Sequence, residues 1–137
     1  MLPGQGSLTR YWNWPADAAT EVLCEAQMFK KNSAAIAALN DHARHTFEGC
    51  RVLITQGVLE MDPDDVGFIL KEVRHFRDFT PSNDPYGEHD FGKISTWEFE
   101  VFWKFDYYDL DLRMASLDPA DETVTARVLT IMLAEEY

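Results

Sequence analysis

Apolar and polar residues alternate along this chain in two rhythms, one helical and one extended. Ala19, Val22, Leu23, Ala26 and Phe29 recur at helical spacing and predict a first helix from Pro15 to about Lys31. Asn32-Ser33 reads as a break, with Ser33 as the N-cap of a second helix from Ala34 to about Thr46, whose apolar face is Ile36, Leu39 and Ala43. Cys50 to Thr55 is short, apolar and rich in β-branched residues, which predicts a strand stopped at Gln56-Gly57. Asp62-Pro63-Asp64-Asp65 is a helix start, with a capping carboxylate, proline in the first turn and acids at the positive end of the dipole. Val66, Ile69, Leu70, Val73 and Phe76 continue that helix towards Asp78.

Thr80 to Gly87 holds two prolines, Asn-Asp and a glycine, and reads as a loop. A strand is expected from His89 or Asp90 to Ile94, with a turn at Ser95-Thr96. From Trp97 to Phe105, Trp97, Phe99, Val101, Trp103 and Phe105 alternate with Glu98, Glu100, Phe102, Lys104 and Asp106, the period-2 pattern of a strand with one apolar face. Leu110 to Met114 alternates similarly. Asp118-Pro119-Ala120-Asp121-Glu122 repeats the helix-start signal. The apolar arc of Val124, Val128, Leu129, Ile131, Met132 and Leu133 then predicts a central, deeply buried last helix. The expected order is ααβαβββα. It gives a two-layer α+β domain, an antiparallel sheet of about four strands with helices on one face and the first strand at an edge.

The length of 137 residues suits a single domain spanning residues 1–137. Within it, residues 1–14 read as an irregular arm carrying Tyr11, Trp12 and Trp14. That arm would dock on the protein's own core or exchange in a homodimer. There is no run of about 18 apolar residues and no signal-like N-terminus. Two cysteines, Cys24 and Cys50, are too few for a disulfide framework and suit a reducing, cytoplasmic location.

Charge narrows the function classes. The net charge is −12, and it is uneven: residues 1–57 carry 5 basic and 5 acidic side chains, residues 58–137 carry 7 and 19. Such a field repels nucleic acid and anionic membrane and attracts basic surfaces. Basic patches are absent, Lys30-Lys31 being a pair at a helix end that the dipole explains, so direct nucleic-acid binding is disfavoured.

Candidate chemistry concentrates in one stretch. Glu88, His89 and Asp90 offer metal-ligand or acid–base groups, although neighbours in an extended segment point to opposite faces. A hard-cation site would need Glu88 or Asp90 together with Asp106 or Asp109 from another strand. The simpler reading of the cluster is loop fixing by internal hydrogen bonds. Asp106-Tyr107-Tyr108-Asp109-Leu110-Asp111 reads either as a hydrogen-bonded strand end or as a recognition edge. His42 and His45 read as a solvated helix face. No phosphate loop, nucleophile elbow or paired metal-ligand spacing is present, and no cofactor or metal is expected.

Several blocks carry a resemblance. They are Ala38-Leu39-Asn40-Asp41 with Phe47, Thr55-Gln56-Gly57-Val58, Phe79 to Gly92, Phe102 to Asp109, Asp118 to Asp121, and Thr125 to Tyr137. Together they resemble a bacterial family defined as domain of unknown function 3768, over about residues 36–137. On this reading residues 33–137 are the family-like core and 15–32 an added helix. The resemblance implies a small cytosolic protein from plasmid- or phage-borne gene neighbourhoods and supplies no chemistry.

Two functional classes follow. The favoured one is a non-catalytic acidic binding protein that occupies the cationic surface of a nucleic-acid-handling defence complex, in the manner of an anti-CRISPR or anti-restriction nucleic-acid mimic. Its contact residues would be Glu98, Glu100, Asp106, Tyr108, Asp109 and Asp111, and its partner a protein with a basic surface. The alternatives are a small metal-assisted hydrolase using His89, Glu88, Asp90, Asp106 and Asp109, and an antitoxin-like accessory protein.

Overall fold

In the computed structural model the backbone is described from Ala19 to Tyr137 and side chains from Asn32 onward. The expectations for the aromatic arm, for a helix start at Pro15 and for Cys24 lie outside these residues. The first element, α1, runs unbroken from Ala19 to Thr46. The break expected at Asn32-Ser33 does not occur. Neither residue costs more than a few tenths of a kcal/mol inside a helix, too little to interrupt one with good formers on both sides. The buried face of α1 is Ile36, Ala37, Asn40, Ala43 and Arg44, so Asn40 takes the central place expected for Leu39.

β1 (Arg51–Ile54) follows, then the short α2 (Gln56–Leu59) and α3 (Pro63–Arg74). As expected, Asp62 caps α3, its side chain accepting from the Asp64 N–H at 3.0 Å, with Pro63 in the first turn. β2 (Phe91–Ser95) pairs antiparallel with β3 (Glu100–Tyr108) across a four-residue connection. There Thr96 Oγ1 accepts from the N–H groups of Glu98 and Phe99. Trp97 sits at the tip of this turn, 93% exposed, rather than in the strand.

Two expected elements are replaced. Leu110 to Met114 is a turn, not a strand. Asp109 Oδ1 accepts from the Arg113 N–H, Leu112 has φ +61°, and the Asp109 N–H bonds back to the Met114 carbonyl. The alternation was genuine, but the segment closes on itself before it can pair. The expected last helix is β4 (Ala126–Leu133), the longest-buried strand after β3. Asp118 and Asp121 accept from the N–H groups of Ala120 and Thr123, which makes local turns instead of a helix start. An apolar run without polar alternation suits a strand buried on both faces as well as it suits a buried helix. Val128, Thr130 and Ile131 add β-branching.

The sheet order is β1-β4-β3-β2. β4 pairs antiparallel with β3 and parallel with β1, so the sheet is mixed rather than antiparallel throughout. The α+β class, four strands and an edge position for β1 stand; the order is αβααβββ, with a 3₁₀ turn (Ala134–Glu136) at the end. Register places Val101, Trp103, Phe105 and Tyr107 of β3 beside Arg127, Leu129 and Ile131 of β4 on one face. α1 and α3 pack on that face through Ile36, Ala43, Ile69 and Val73. The opposite face holds Phe91 and Phe102, with the Tyr137 ring packed edge-on against both. Glu136 ties the chain end to α2, accepting from Thr55 Oγ1 at 2.6 Å and from the Gly57 N–H at 3.2 Å.

The C-terminal ends of α1 and α3 cap each other. Arg44 Nη1 donates to the carbonyls of Val73 and Phe76 at 3.0 Å and of Arg74 at 3.3 Å. Arg74 Nε donates to the His45 carbonyl, and His45 Nδ1 bonds the Arg74 carbonyl. These groups satisfy carbonyls that a helix end leaves open.

One glycine shows how tight the inner face is. Gly92 lies opposite Trp103 in the β2–β3 ladder, and a Cβ there would overlap the indole ring. Gly92→Ala is therefore expected to destabilise the fold by about 1–3 kcal/mol through overpacking. A lowered denaturation midpoint with an unchanged slope is the measurement that checks it.

Candidate functional site

The loop from Asp84 to Asp90 folds against α1 and the far end of β3. Its conformation is unusual at two residues: Gly87 has φ +68° and His89 φ +54°. For histidine this left-handed backbone is costly, on the order of 1–3 kcal/mol, and needs surrounding contacts to hold it. Those contacts are present. The His89 N–H donates to Asp84 Oδ1 at 3.2 Å, and its Nδ1 lies 2.9 Å and 3.0 Å from the two oxygens of Asp41. Its ring stacks flat on Phe79 with centroids 4.0 Å apart. Asp41 is held from its other side by Arg44 Nη2 at 2.8 Å.

Glu88 turns the other way and is buried, 1% exposed. It accepts from the Tyr107 hydroxyl at 3.2 Å. That hydroxyl in turn accepts from Asn40 Nδ2 at 2.8 Å, and the same amide donates to the Glu88 carbonyl at 3.0 Å. Asn40 Oδ1 accepts from Arg127 Nε at 2.6 Å, while Arg127 Nη2 reaches the Pro119 carbonyl. The Arg127 guanidinium also lies over the Tyr107 ring, 5.2 Å from its centroid. One fully bonded network thus joins α1, β3, β4 and the loop. The wholly buried Asn40 has every donor and acceptor used.

Electrostatics follow from this burial. Burial, with repulsion from Glu88 and Asp84 second, pushes the Asp90 carboxyl up to about 7. Burial, again with nearby Glu88, raises the Tyr107 phenol well above its ordinary value, so it stays protonated and donates. Burial lowers both Arg44 and Arg127, whose guanidinium groups nevertheless remain charged. Burial raises Asp106, opposed by its ion pair with Lys104 at 3.2 Å.

The sequence-derived candidates separate in space. Glu88, His89 and Asp90 remain neighbours, with His89 facing Asp41 and Phe79 and Glu88 facing Tyr107. Asp106 alternates with Tyr107 along β3, so it lies on the opposite face of the sheet from the residue that Glu88 bonds. Asp109 sits in the turn beyond the strand, bonded to the Arg113 N–H. Among the described residues no group of three or more His, Cys, Asp or Glu is placed to hold a metal ion. Of the partner-binding candidates, Glu98, Glu100 and Asp111 are exposed, Tyr108 and Asp109 are half-buried, and Asp106 is buried. Glu98 and Glu100 lie at one end of β3 and Asp109 and Asp111 beyond the other. His42 and His45 are exposed, as expected of a solvated helix face.

Four residues that organise the site were not singled out as functional: Asn40, Asp41, Arg44 and Arg127. A signal existed for one of them. Asn40 stands on the helical stripe of Ile36, Ala43 and Phe47, and a polar residue centred on an apolar face demands buried partners.

Asn40→Ala is expected to cost about 2–4 kcal/mol, because it removes the acceptor of the buried Arg127 Nε and one of the two partners of the Tyr107 hydroxyl. Chemical denaturation of the variant checks this. Asp90 yields a pH prediction. Between the ordinary carboxyl value of 3.8 and about 7 the folded protein keeps a proton that the unfolded chain has released. The fold therefore loses stability as pH rises through that window. Asp90→Asn is expected to remove that decline, with variant and wild type diverging most above pH 7 in thermal melts.

Comparison with curated proteins and with solved structures gives no match. A family model described as protein of unknown function (DUF3768) matches residues 54–136, a segment that begins after Asn40, Asp41 and Arg44 and is shorter than the span of 36–137 expected from the sequence blocks. That match covers more than half of the chain, from the end of β1 to the penultimate residue, and the chain belongs to this family of proteins of unknown function.

Proposed function

We propose that this protein works by binding a basic protein surface rather than by catalysis. The observation that carries this reading is the division of its carboxylates. In the Glu88-His89-Asp90 loop, Glu88 is buried and bonded to Tyr107, and Asp90 is half-buried. Glu98, Glu100 and Asp111 instead project from turns and strand ends into solvent. Of these, Glu100 has a basic partner, Lys93, at 3.7 Å, an exposed pair of little strength. In a chain of net charge −12, such carboxylates steer a cationic partner and raise its association rate. A partner that normally holds a nucleic-acid backbone, such as a nuclease or an RNA-guided complex, offers the matching charge. An inhibitor that mimics nucleic acid is the form this binding takes.

Asp106 is excluded from direct contact by its burial, which revises the surface to Glu98, Glu100, Tyr108, Asp109 and Asp111. Because the two groups of carboxylates flank a nine-residue strand, they lie about 30 Å apart. They engage a broad surface rather than one pocket.

Retention of a partner from native-host lysate, compared at low and high salt, tests the reading. The bound protein is expected to be released by salt and lost with Glu98→Lys, Glu100→Lys and Asp111→Lys combined. Retention that ignores both salt and the triple reversal would sink it.

A further inference from the structure

Beside His89, the ends of α1 and α3 border an open cavity of about 280 Å³ with three arginines in its lining. Arg44, Arg74 and Arg77 line it together with His45, His75 and Phe79. The sequence conceals this patch, because its members come from two helices and the segment after α3. It stands out in an acidic protein.

Helix-end capping explains part of this lining. Arg44 Nη1, Arg74 Nε, and the Nδ1 atoms of His45 and His75 all bond helix carbonyls. Capping leaves other donors over. The terminal nitrogens of Arg74 have no acceptor among the described residues, and Arg77 makes no side-chain hydrogen bond or ion pair there. Arg44 is 3% exposed, its guanidinium lies over the Phe79 and Trp103 rings, and its buried Nε–H has no hydrogen-bond acceptor among the described residues. That Nε is sealed from solvent and the other Arg44 nitrogens are already bonded, so the donors open to a ligand are those of the exposed Arg74 and Arg77. The carboxylate lining the cavity, Asp41, is already held by Arg44 and His89.

We propose that this cavity binds an oxyanion, and that the group it takes is a phosphoryl group. Guanidinium groups from separate elements suit a dianion with several oxygens better than a single carboxylate, and arginine matches phosphate geometry. The cavity lies at the small end of ligand-site volumes, with room for a phosphate and a compact attached group. The protein's overall negative field does not prevent this. At physiological ionic strength it is screened beyond about 8 Å, and the local arginines decide. The site is separate from the acidic surface and does not depend on it.

The full-length protein is titrated with inorganic phosphate and, separately, with phenyl phosphate, at ionic strength fixed with sodium chloride. Calorimetry gives the affinity, and amide NMR locates the site. Saturable binding is expected, with shifts centred on His45, His75 and Arg77. Arg77→Ala is expected to weaken it about tenfold or more, the loss of one charge-assisted contact. Arg77 holds no structural bond, so this variant keeps its fold. Arg113→Ala, at an exposed arginine elsewhere, leaves the affinity unchanged. Tighter binding of phenyl phosphate identifies a phosphate monoester as the occupant, and equal binding identifies free phosphate. Absence of saturable binding, or binding that survives Arg77→Ala intact, overturns the proposal.

Discussion

The amide of Asn40 is the point on which the architecture turns. It accepts from Arg127 on the central strand and donates to Tyr107 and to the Glu88 carbonyl. Two charged residues, Arg127 and Glu88, are brought into the interior by this arrangement. Neither could stay there at acceptable cost without hydrogen-bonded partners. Apolar packing alone would let α1 slide along the sheet. The amide favours one position, because a shift of one residue would break its bonds to the buried Arg127 Nε and the buried Tyr107 hydroxyl. Hydrophobic burial thus supplies the stability, and the polar network selects the alignment.

Local signals were legible wherever local chemistry decides the outcome. The Asp62-Pro63 cap, the stop at Gln56-Gly57 and the alternation from Val101 to Phe105 all predicted their elements, because each depends on neighbours a few residues away. The errors arose where long-range pairing decides. Residues 126–133 are mostly apolar, with Arg127 and Thr130 as the exceptions, and only their position between β1 and β3 makes them a strand. The parallel pairing of β1 with β4 has no sequence signal either, since the partners lie more than seventy residues apart. At Asn32-Ser33 a weak local preference was overruled by the helix on both sides of it.

The site was legible in its location and illegible in its wiring. Turn residues and the Glu-His-Asp run marked the loop correctly. Its partners Asn40 and Asp41 come from 48 residues earlier, so the loop's own sequence could not say whether its carboxylates face solvent, a metal or the core. The arginine cavity was hidden for the same reason. Arg74 and Arg77 are three residues apart, but Arg44 comes thirty residues earlier in a chain whose total charge points the other way, and only the meeting of two helix ends brings it to them.

The sheet order has a consequence for biosynthesis. Among the described strands β1 pairs only with β4, and β4 follows every strand that it joins. While the chain is still emerging from the ribosome, β1 and the β2–β3 hairpin are two fragments with no shared edge. The sheet closes in a single late step when β4 slots between them, parallel to one neighbour and antiparallel to the other. Until then both flanking edges and the inner apolar faces are open, which makes the nascent chain a natural client for holding chaperones.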